Sequence, residues 1–152
     1  MSAPVATPLT RRLVVSLGFL SAVGPFAIDM YLASLPQIAR ELGAPPATVQ
    51  LTLTAFLLGL GAGQLLLGPL SDLWGKRPVL LAATAVLAVT SVALIASPNI
   101  EYFIGLRLLQ GLSGAAGVVI ARAIAVDLST GRTAVRALSL IATVGGLGPL
   151  VA

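Results

Sequence analysis

The sequence contains no histidine and no cysteine, and only 9% of its 152 residues are charged. Without histidine the chain lacks the usual metal ligand and general base, and without cysteine it has no disulfide framework and no thiolate metal site. We therefore expect neither an enzyme nor a metal or other cofactor. The formal net charge is +4, but the basic residues occur singly or in pairs, whereas nucleic acid binding needs a basic face.

Hydrophobic residues, by contrast, make up 57% of the chain. A soluble domain carries about 25% charged residues, so a chain this poor in charge could not cover a water-facing surface. A helix needs roughly 20 apolar residues to cross the hydrocarbon core of a bilayer. We therefore predict an all-α membrane protein with five spans, the fifth of them incomplete, at 13–35, 49–70, 79–95, 102–126 and from 137 onward.

The distribution of lysine and arginine predicts the orientation of these spans. One set of connections carries only Arg40, whereas the opposite set carries Arg11, Arg12, Lys76, Arg77, Arg132 and Arg136. The positive-inside rule places the richer set in the cytoplasm. The predicted organisation is a cytoplasmic tail over 1–12 and an incomplete transmembrane domain over 13–152, with segment GPLSDLWGKRP, residues 68–78, as a cytoplasmic hairpin loop.

Two charges lie inside the predicted spans. At a rise of 1.5 Å per residue, Asp29 lies about 9 Å and Arg107 about 8 Å from the same outer membrane surface. One hypothesis is an ion pair in which the carboxylate loads and releases a proton beside a fixed cation. The alternative is that Arg107 snorkels to the outer headgroups and Asp29 lies in the interface. Gln110 shares the helical face of Arg107, and Gln64 and Met30 are further candidates for the lining of a cavity.

Glycines in the spans predict close helix packing. Gly59 and Gly63 form a small-xxx-small face, which lets a second helix approach. In the fourth span Gly111 is a candidate for the same role. The fifth span contains GGLGP, in which Gly145, Gly148 and Pro149 are expected to allow packing and a bend.

Four segments resemble the major facilitator superfamily or one of its branches. GPLSDLWGKRP is similar to its signature loop, although Leu73 stands where the family usually has a basic residue. RLLQGLSGAAG, from Arg107, resembles the fourth-helix motif, and VGGLGP resembles the start of the fifth-helix motif of drug–proton antiporters. AIDMYLASLP, which contains Asp29, looks like the bicyclomycin and chloramphenicol resistance branch of these antiporters.

The resemblance implies the arrangement of the site. In the family two six-helix halves rock around a central cavity, which spans one and four help to line; this favours the pairing of Asp29 with Arg107. By the same resemblance the signature segment is a gating contact between the halves on the cytoplasmic side. In it Asp72 would face the other half, and Lys76 and Arg77 would bind headgroups or pair with acids such as Asp127. Close approach there would depend on Gly68 and Gly75.

The implied function is the N-terminal part of a proton-coupled multidrug efflux transporter of the bacterial inner membrane. Its partners would be drug-like small molecules, protons, membrane lipids and the C-terminal half of the transporter. Because family members have about twelve helices, we expect this polypeptide alone not to transport. Two alternatives stay open: a major facilitator transporter of a sugar or other metabolite, and a membrane scaffold protein that does not transport.

Overall fold

The computed structural model describes the backbone of residues 10–128 and 131–151, with the side chains of all of these except 11, 25, 131–132 and 144–151. Every regular element in the described part is an α-helix, which confirms the predicted fold class. In chain order the helices are α1 (Arg11–Glu41), α2 (Pro46–Trp74), α3 (Lys76–Ile95), α4 (Ile100–Asp127) and α5 (Gly131–Val151).

Helices α1 to α4 are each long and apolar enough to cross a membrane. They extend beyond the predicted apolar runs, because a helix continues into polar residues that still satisfy its backbone hydrogen bonds. The predicted tail over 1–12 thus overlaps the start of α1, and residues 1–9 lie outside the described part. Helix α5 begins at Gly131, before the predicted start of the fifth span, and its described apolar stretch, Thr133–Thr143, is shorter than a span.

The helix starts follow from local sequence. Helix α2 begins at Pro46, where the fixed φ of proline suits the first helical position and its missing N–H is not needed. Helix α4 begins after Asn99, whose side-chain oxygen accepts a hydrogen bond of 2.8 Å from the backbone N–H of Tyr102.

Helix α4 lies at the centre of the bundle and packs against all four other helices. One apolar cluster joins it to α2 and α3 through Leu67, Val79, Ala83, Ala115, Ala116 and Ile120. A second cluster joins it to α1 and α5 through Leu17, Ala121, Ala125, Ala137 and Ile141. Side chains on α4 are therefore the ones most enclosed by protein.

Glycines let α2 and α4 pack backbone against backbone. A Cβ atom on Gly59 would lie 2.9 Å from the backbone nitrogen of Leu112, and one on Gly63 would lie 2.7 Å from the Cβ of Ala115. From the other helix, a Cβ on Gly111 would lie 2.8 Å from the carbonyl carbon of Phe56. These contacts leave no room for a methyl group, so the small residues determine how closely the helices approach.

Segment GPLSDLWGKRP is not the loop that the sequence predicts. Helix α2 continues through Trp74, helix α3 starts at Lys76, and only Gly75 lies between them. Gly75 has a φ of +91°, which an L side chain rarely adopts and glycine adopts freely. Pro69 is accommodated inside α2, and Pro78 lies in the first turn of α3, where helices tolerate proline. The connection is thus a tight turn at one glycine.

The predicted packing and bending positions Gly145, Gly148 and Pro149 fall within α5. Their side-chain surroundings lie outside the described part of the chain, so the bend stays a prediction.

Candidate functional site

Arg107 lies on α4 inside the bundle, and only 3% of it is exposed. Its guanidinium carbon is 3.7 Å from the ring centroid of Tyr31 on α1 and 4.5 Å from that of Phe56 on α2. Both distances are within the roughly 6 Å over which an aromatic face attracts a cation. The charge is therefore enclosed by protein, which contradicts the alternative in which Arg107 snorkels to the outer headgroups.

A chain of hydrogen bonds orients the guanidinium from one end. Nη1 of Arg107 donates to Oε1 of Gln110 over 2.6 Å, and Nε2 of Gln110 donates to Oγ of Ser91 on α3 over 2.9 Å. The Ser91 hydroxyl in turn donates to the carbonyl of Leu87 over 2.7 Å. Both ends of the Gln110 amide are therefore engaged, and the residue is 8% exposed. Gln110 is thus held by Ser91 on one side and orients Arg107 on the other.

Tyr31 is held in place by contacts with two other helices. Its hydroxyl forms a hydrogen bond with the hydroxyl of Thr52 on α2, which is fully buried and also donates to the carbonyl of Val49. Its ring stacks on that of Phe103 on α4, with centroids 6.3 Å apart and planes inclined by 29°. The ring that covers Arg107 thus has a fixed position.

Neither Tyr31 nor Phe56 belongs to the site residues that the sequence predicts. The available signal was composition, because aromatic residues are only 5% of the chain, and one of them follows Asp29 by two positions. Two of these few rings lie on one buried cation. The number of aromatic residues in a sequence does not show which of them meet in the folded chain.

Asp29 is half-buried, and its Oδ2 atom is buried with no hydrogen-bond partner. The structure forms no ion pair between Asp29 and Arg107 in the described part of the chain. On an α-helix, positions 29 and 31 are about 200° apart. Because Tyr31 faces Arg107, Asp29 is turned towards a different side of α1, and the structure does not bring the two predicted charges into contact.

Both predicted charges nevertheless carry unsatisfied buried atoms. Besides Oδ2 of Asp29, these are Nε and Nη2 of Arg107, and no other buried side-chain nitrogen or oxygen atom of the described residues lacks a hydrogen-bond partner. Buried polar groups are nearly always paired, and leaving a charged one unpaired is costly. Intramembrane charges of this kind are functional candidates.

The other predicted cavity residues lie on the outside of the described bundle. Met30 is 55% exposed, and Gln64 is exposed. Neither contacts Arg107 by a polar interaction, so the structure gathers only Gln110 around it. Among the residues that the structure describes, no three acidic side chains are placed to hold a metal ion.

The predicted gating residues lie together near the turn at Gly75. Gly68 and Asp72 are on the last two turns of α2, and Asp72 is exposed. Lys76, at the start of α3, forms an ion pair with Asp127 at the end of α4. This is one of the two alternatives that the sequence allowed for Lys76. Arg77 is exposed.

The fold and the site define a multi-pass helical membrane protein with a buried cation on its central helix. The sequence profile of the Major Facilitator Superfamily matches residues 17–152. The chain therefore belongs to the major facilitator superfamily, whose members are transporters.

Individual relatives indicate the branch of the superfamily. The chain is 45% identical to YdgK, a transporter of the major facilitator type from Bacillus subtilis, over 90% of its own length and 34% of the relative's. It is 40% identical to a bicyclomycin resistance protein homolog of Haemophilus influenzae, over 91% of its length and 35% of the relative's. It is 41% identical to a chloramphenicol resistance protein of Pseudomonas aeruginosa, over 82% of its length and 31% of the relative's. The chain spans about a third of the length of these curated relatives.

Proposed function

We propose that the chain is the N-terminal part of a proton-coupled drug efflux transporter in the inner membrane of a bacterial cell. Two of the relatives described above are named for resistance to bicyclomycin and to chloramphenicol, both small molecules. Export of drug-like compounds is the activity that these names suggest for this chain.

The observation that carries the proton coupling is the pair of buried, unsatisfied charges on α1 and α4. Asp29 supplies a carboxyl that can take up and release a proton, and Arg107 supplies a cation that cannot lose its own in a protein. The Oδ2 atom of Asp29 is buried and has no hydrogen-bond donor among the described residues, so that oxygen is open to a proton. In this proposal Asp29 carries the proton.

In this proposal Arg107 acts on Asp29 without touching it. Coulomb attraction between charges several ångströms apart is several-fold stronger at a protein's effective dielectric than in water. A fixed guanidinium on α4 can therefore act on charges near α1 even when no ion pair forms.

We further propose that residues 1–152 alone do not transport. Several large apolar side chains of α1 and α2 are exposed, among them Phe19, Met30, Leu58, Leu65 and Leu66. In a complete family member such faces meet either lipid or the second half of the transporter. Without that second half, a central cavity would have no opposite wall. We propose the cytoplasmic side for the N-terminus and for the turn at Gly75, from the lysine and arginine distribution.

The test uses the complete gene product in a bacterial host that lacks its major drug pumps. Susceptibility to a panel that includes bicyclomycin and chloramphenicol identifies exported compounds. Drug-stimulated proton flux is then measured in everted membrane vesicles with an imposed pH gradient. We expect Asp29→Asn to abolish drug-stimulated proton flux at normal expression, because an amide cannot carry the proton.

The matched control is Glu41→Gln, the same chemical change at the exposed end of the same helix. It should leave flux unchanged. Undiminished proton-driven efflux in the Asp29→Asn variant would remove Asp29 from the mechanism, and an unchanged drug panel for the wild type would favour a transporter of metabolites instead.

A further inference from the structure

The guanidinium of Arg107 is buried in the bundle, and no carboxylate neutralises it in the described part of the chain. One hydrogen bond, to Gln110, satisfies Nη1, while Nε and Nη2 have no hydrogen-bond partner. A buried cation with two unsatisfied nitrogen atoms is unfavourable unless another interaction compensates it. The compensation has to come from what lies against the faces of the guanidinium plane.

Two aromatic rings from different helices lie against Arg107. Tyr31 on α1 is 3.7 Å from the guanidinium carbon, a contact distance, and Phe56 on α2 is 4.5 Å from it. Both rings are themselves buried, Tyr31 to 8% exposure and Phe56 to 1%. Attraction between a cation and a ring face grows when both are removed from water.

We propose that Tyr31 and Phe56 are positioning residues that hold the charge of Arg107 inside the membrane domain in place of a carboxylate. We call these two residues the aromatic clamp. The role of the clamp rests on the proposed function: it keeps a fixed cation near α1 in whichever protonation state Asp29 adopts. If a carboxylate neutralised Arg107 directly, Arg107 would lose its counter-charge each time that carboxylate took up a proton. Aromatic faces do not titrate as cation partners, so the charge stays in place throughout a cycle.

The charged groups on the surrounding helices do not offer Arg107 another partner. On α1 the charged residue nearest to Tyr31 in sequence is Asp29, which forms no ion pair with Arg107 among the described residues. On α2 the one nearest to Phe56 is Asp72, roughly 24 Å along the helix axis from it. On α3 Lys76 and Arg77 lie in the first turn, about 20 Å or more along the axis from Ser91. On α4 itself Glu101 is exposed and about 9 Å along the axis from Arg107.

Loss of one ring should release the guanidinium towards the outer surface. Arg107 lies about 10 Å along the axis from the start of α4, and a long arginine side chain snorkels when nothing retains it. The clamp therefore predicts a local change in the accessibility of one arginine.

The experiment measures modification of Arg107 by phenylglyoxal in membranes that contain the complete gene product, with each arginine resolved by peptide mass spectrometry. Tyr31→Leu and Phe56→Leu each remove a ring at similar apolar volume. Tyr31→Phe and Phe56→Tyr each keep it. We expect modification of Arg107 to be faster by about fivefold or more in the two leucine variants and close to wild type in the two aromatic ones.

Leu17→Ala serves as the control for general loosening, because Leu17 is a buried core residue of the same α1 helix. It should destabilise the protein without speeding the modification of Arg107. The clamp is overturned if Tyr31→Leu reacts no faster than Tyr31→Phe, or if Leu17→Ala accelerates modification as much as loss of a ring does.

This readout separates the clamp from the proposed function. If Arg107 reacts as expected while Asp29→Asn retains proton-driven efflux, the clamp stands and proton carriage by Asp29 fails. If Asp29→Asn abolishes efflux while the leucine variants leave Arg107 unreactive, the proposed function stands and the clamp fails.

Discussion

Arg107 and Tyr31 are in contact, with the guanidinium carbon 3.7 Å from the centre of the phenol ring, at the depth where a contact between Arg107 and Asp29 had been predicted. The ring belongs to the same helix as Asp29 but faces another direction. This relationship separates two tasks that the sequence predicts for one ion pair, namely retention of the cation and exchange of a proton. In our proposals, aromatic and amide groups retain the cation, and a carboxyl that forms no ion pair with it exchanges the proton.

Loss of the Gln110 side-chain amide is expected to destabilise the protein. In Gln110→Leu, Nη1 of Arg107 loses its hydrogen bond within the bundle, and a hydrogen bond to a charged group contributes about 1.5–3 kcal/mol. The apparent Tm of the purified protein in detergent should therefore fall by several degrees. Gln64→Leu is the matched control, because that glutamine is exposed on α2. An equal fall in the two variants would show that Gln110 does not support Arg107.

Ser91→Ala tests the far end of the same chain of hydrogen bonds. The substitution removes the acceptor of the Gln110 amide but leaves Arg107 bonded to Gln110. Hydrogen bonds between membrane helices contribute only about 0.6 kcal/mol on average, so the expected fall in Tm is small. A larger effect than that of Gln110→Leu would mean that Ser91 acts through something other than this chain.

The depth of the two intramembrane charges could be estimated from the sequence, because depth follows from the rise per residue. The direction in which each side chain points around its helix could not be estimated in this way. Positions 29 and 31 are separated by about 200°, and which of them faces α4 depends on how α1 packs, which is determined by contacts such as that of Gly117 with Leu20. Which face of a helix meets its neighbour depends on tertiary packing. The sequence therefore does not indicate Tyr31, although it is two residues from a predicted site residue.

Gly111→Ala is expected to be strongly destabilising. The added methyl would clash with the backbone of α2 at Phe56, which cannot move as a side-chain end can. Overpacking of this kind costs about 1–3 kcal/mol. Gly61→Ala, on α2 but with open space around the added atom, should leave the apparent Tm unchanged or slightly raised, since alanine favours helix. Similar Tm values for the two variants would contradict the close α2–α4 packing.

Gly75→Ala tests the turn that replaced the predicted loop. Alanine at a φ of +91° is strained, and such strain costs on the order of 1–3 kcal/mol. Gly105→Ala is the control, because Gly105 is helical and its Cβ would meet open space. We expect a fall in apparent Tm for Gly75→Ala only. Equal stability of both variants would mean that the connection between α2 and α3 does not need a positive φ.

The length of that connection shows a second limit of sequence reasoning. Glycine and proline in GPLSDLWGKRP suggested a loop, because both usually interrupt regular structure. Yet Pro69 lies inside α2 and Pro78 in the first turn of α3. Membrane helices tolerate proline more readily than soluble ones, because neighbouring helices satisfy the freed backbone groups. The order of the helices and the positions of the first four spans needed only apolar runs and were correctly predicted.

The ion pair between Lys76 and Asp127 is expected to contribute little to stability and mainly to fix the start of α3 against the end of α4. Its side chains are 21% and 62% exposed, and exposed pairs contribute about 0.2–1 kcal/mol. A double-mutant cycle with Lys76→Gln and Asp127→Asn, read as apparent Tm at low and high salt, should give a coupling within that range that shrinks as salt rises. Drug efflux by the same variants provides the second measurement: if the pair only fixes α3 against α4, efflux should follow the small change in stability. A coupling well above this range and insensitive to salt would show that the pair is buried in the complete protein, as expected if another part of the transporter covers this end of the bundle.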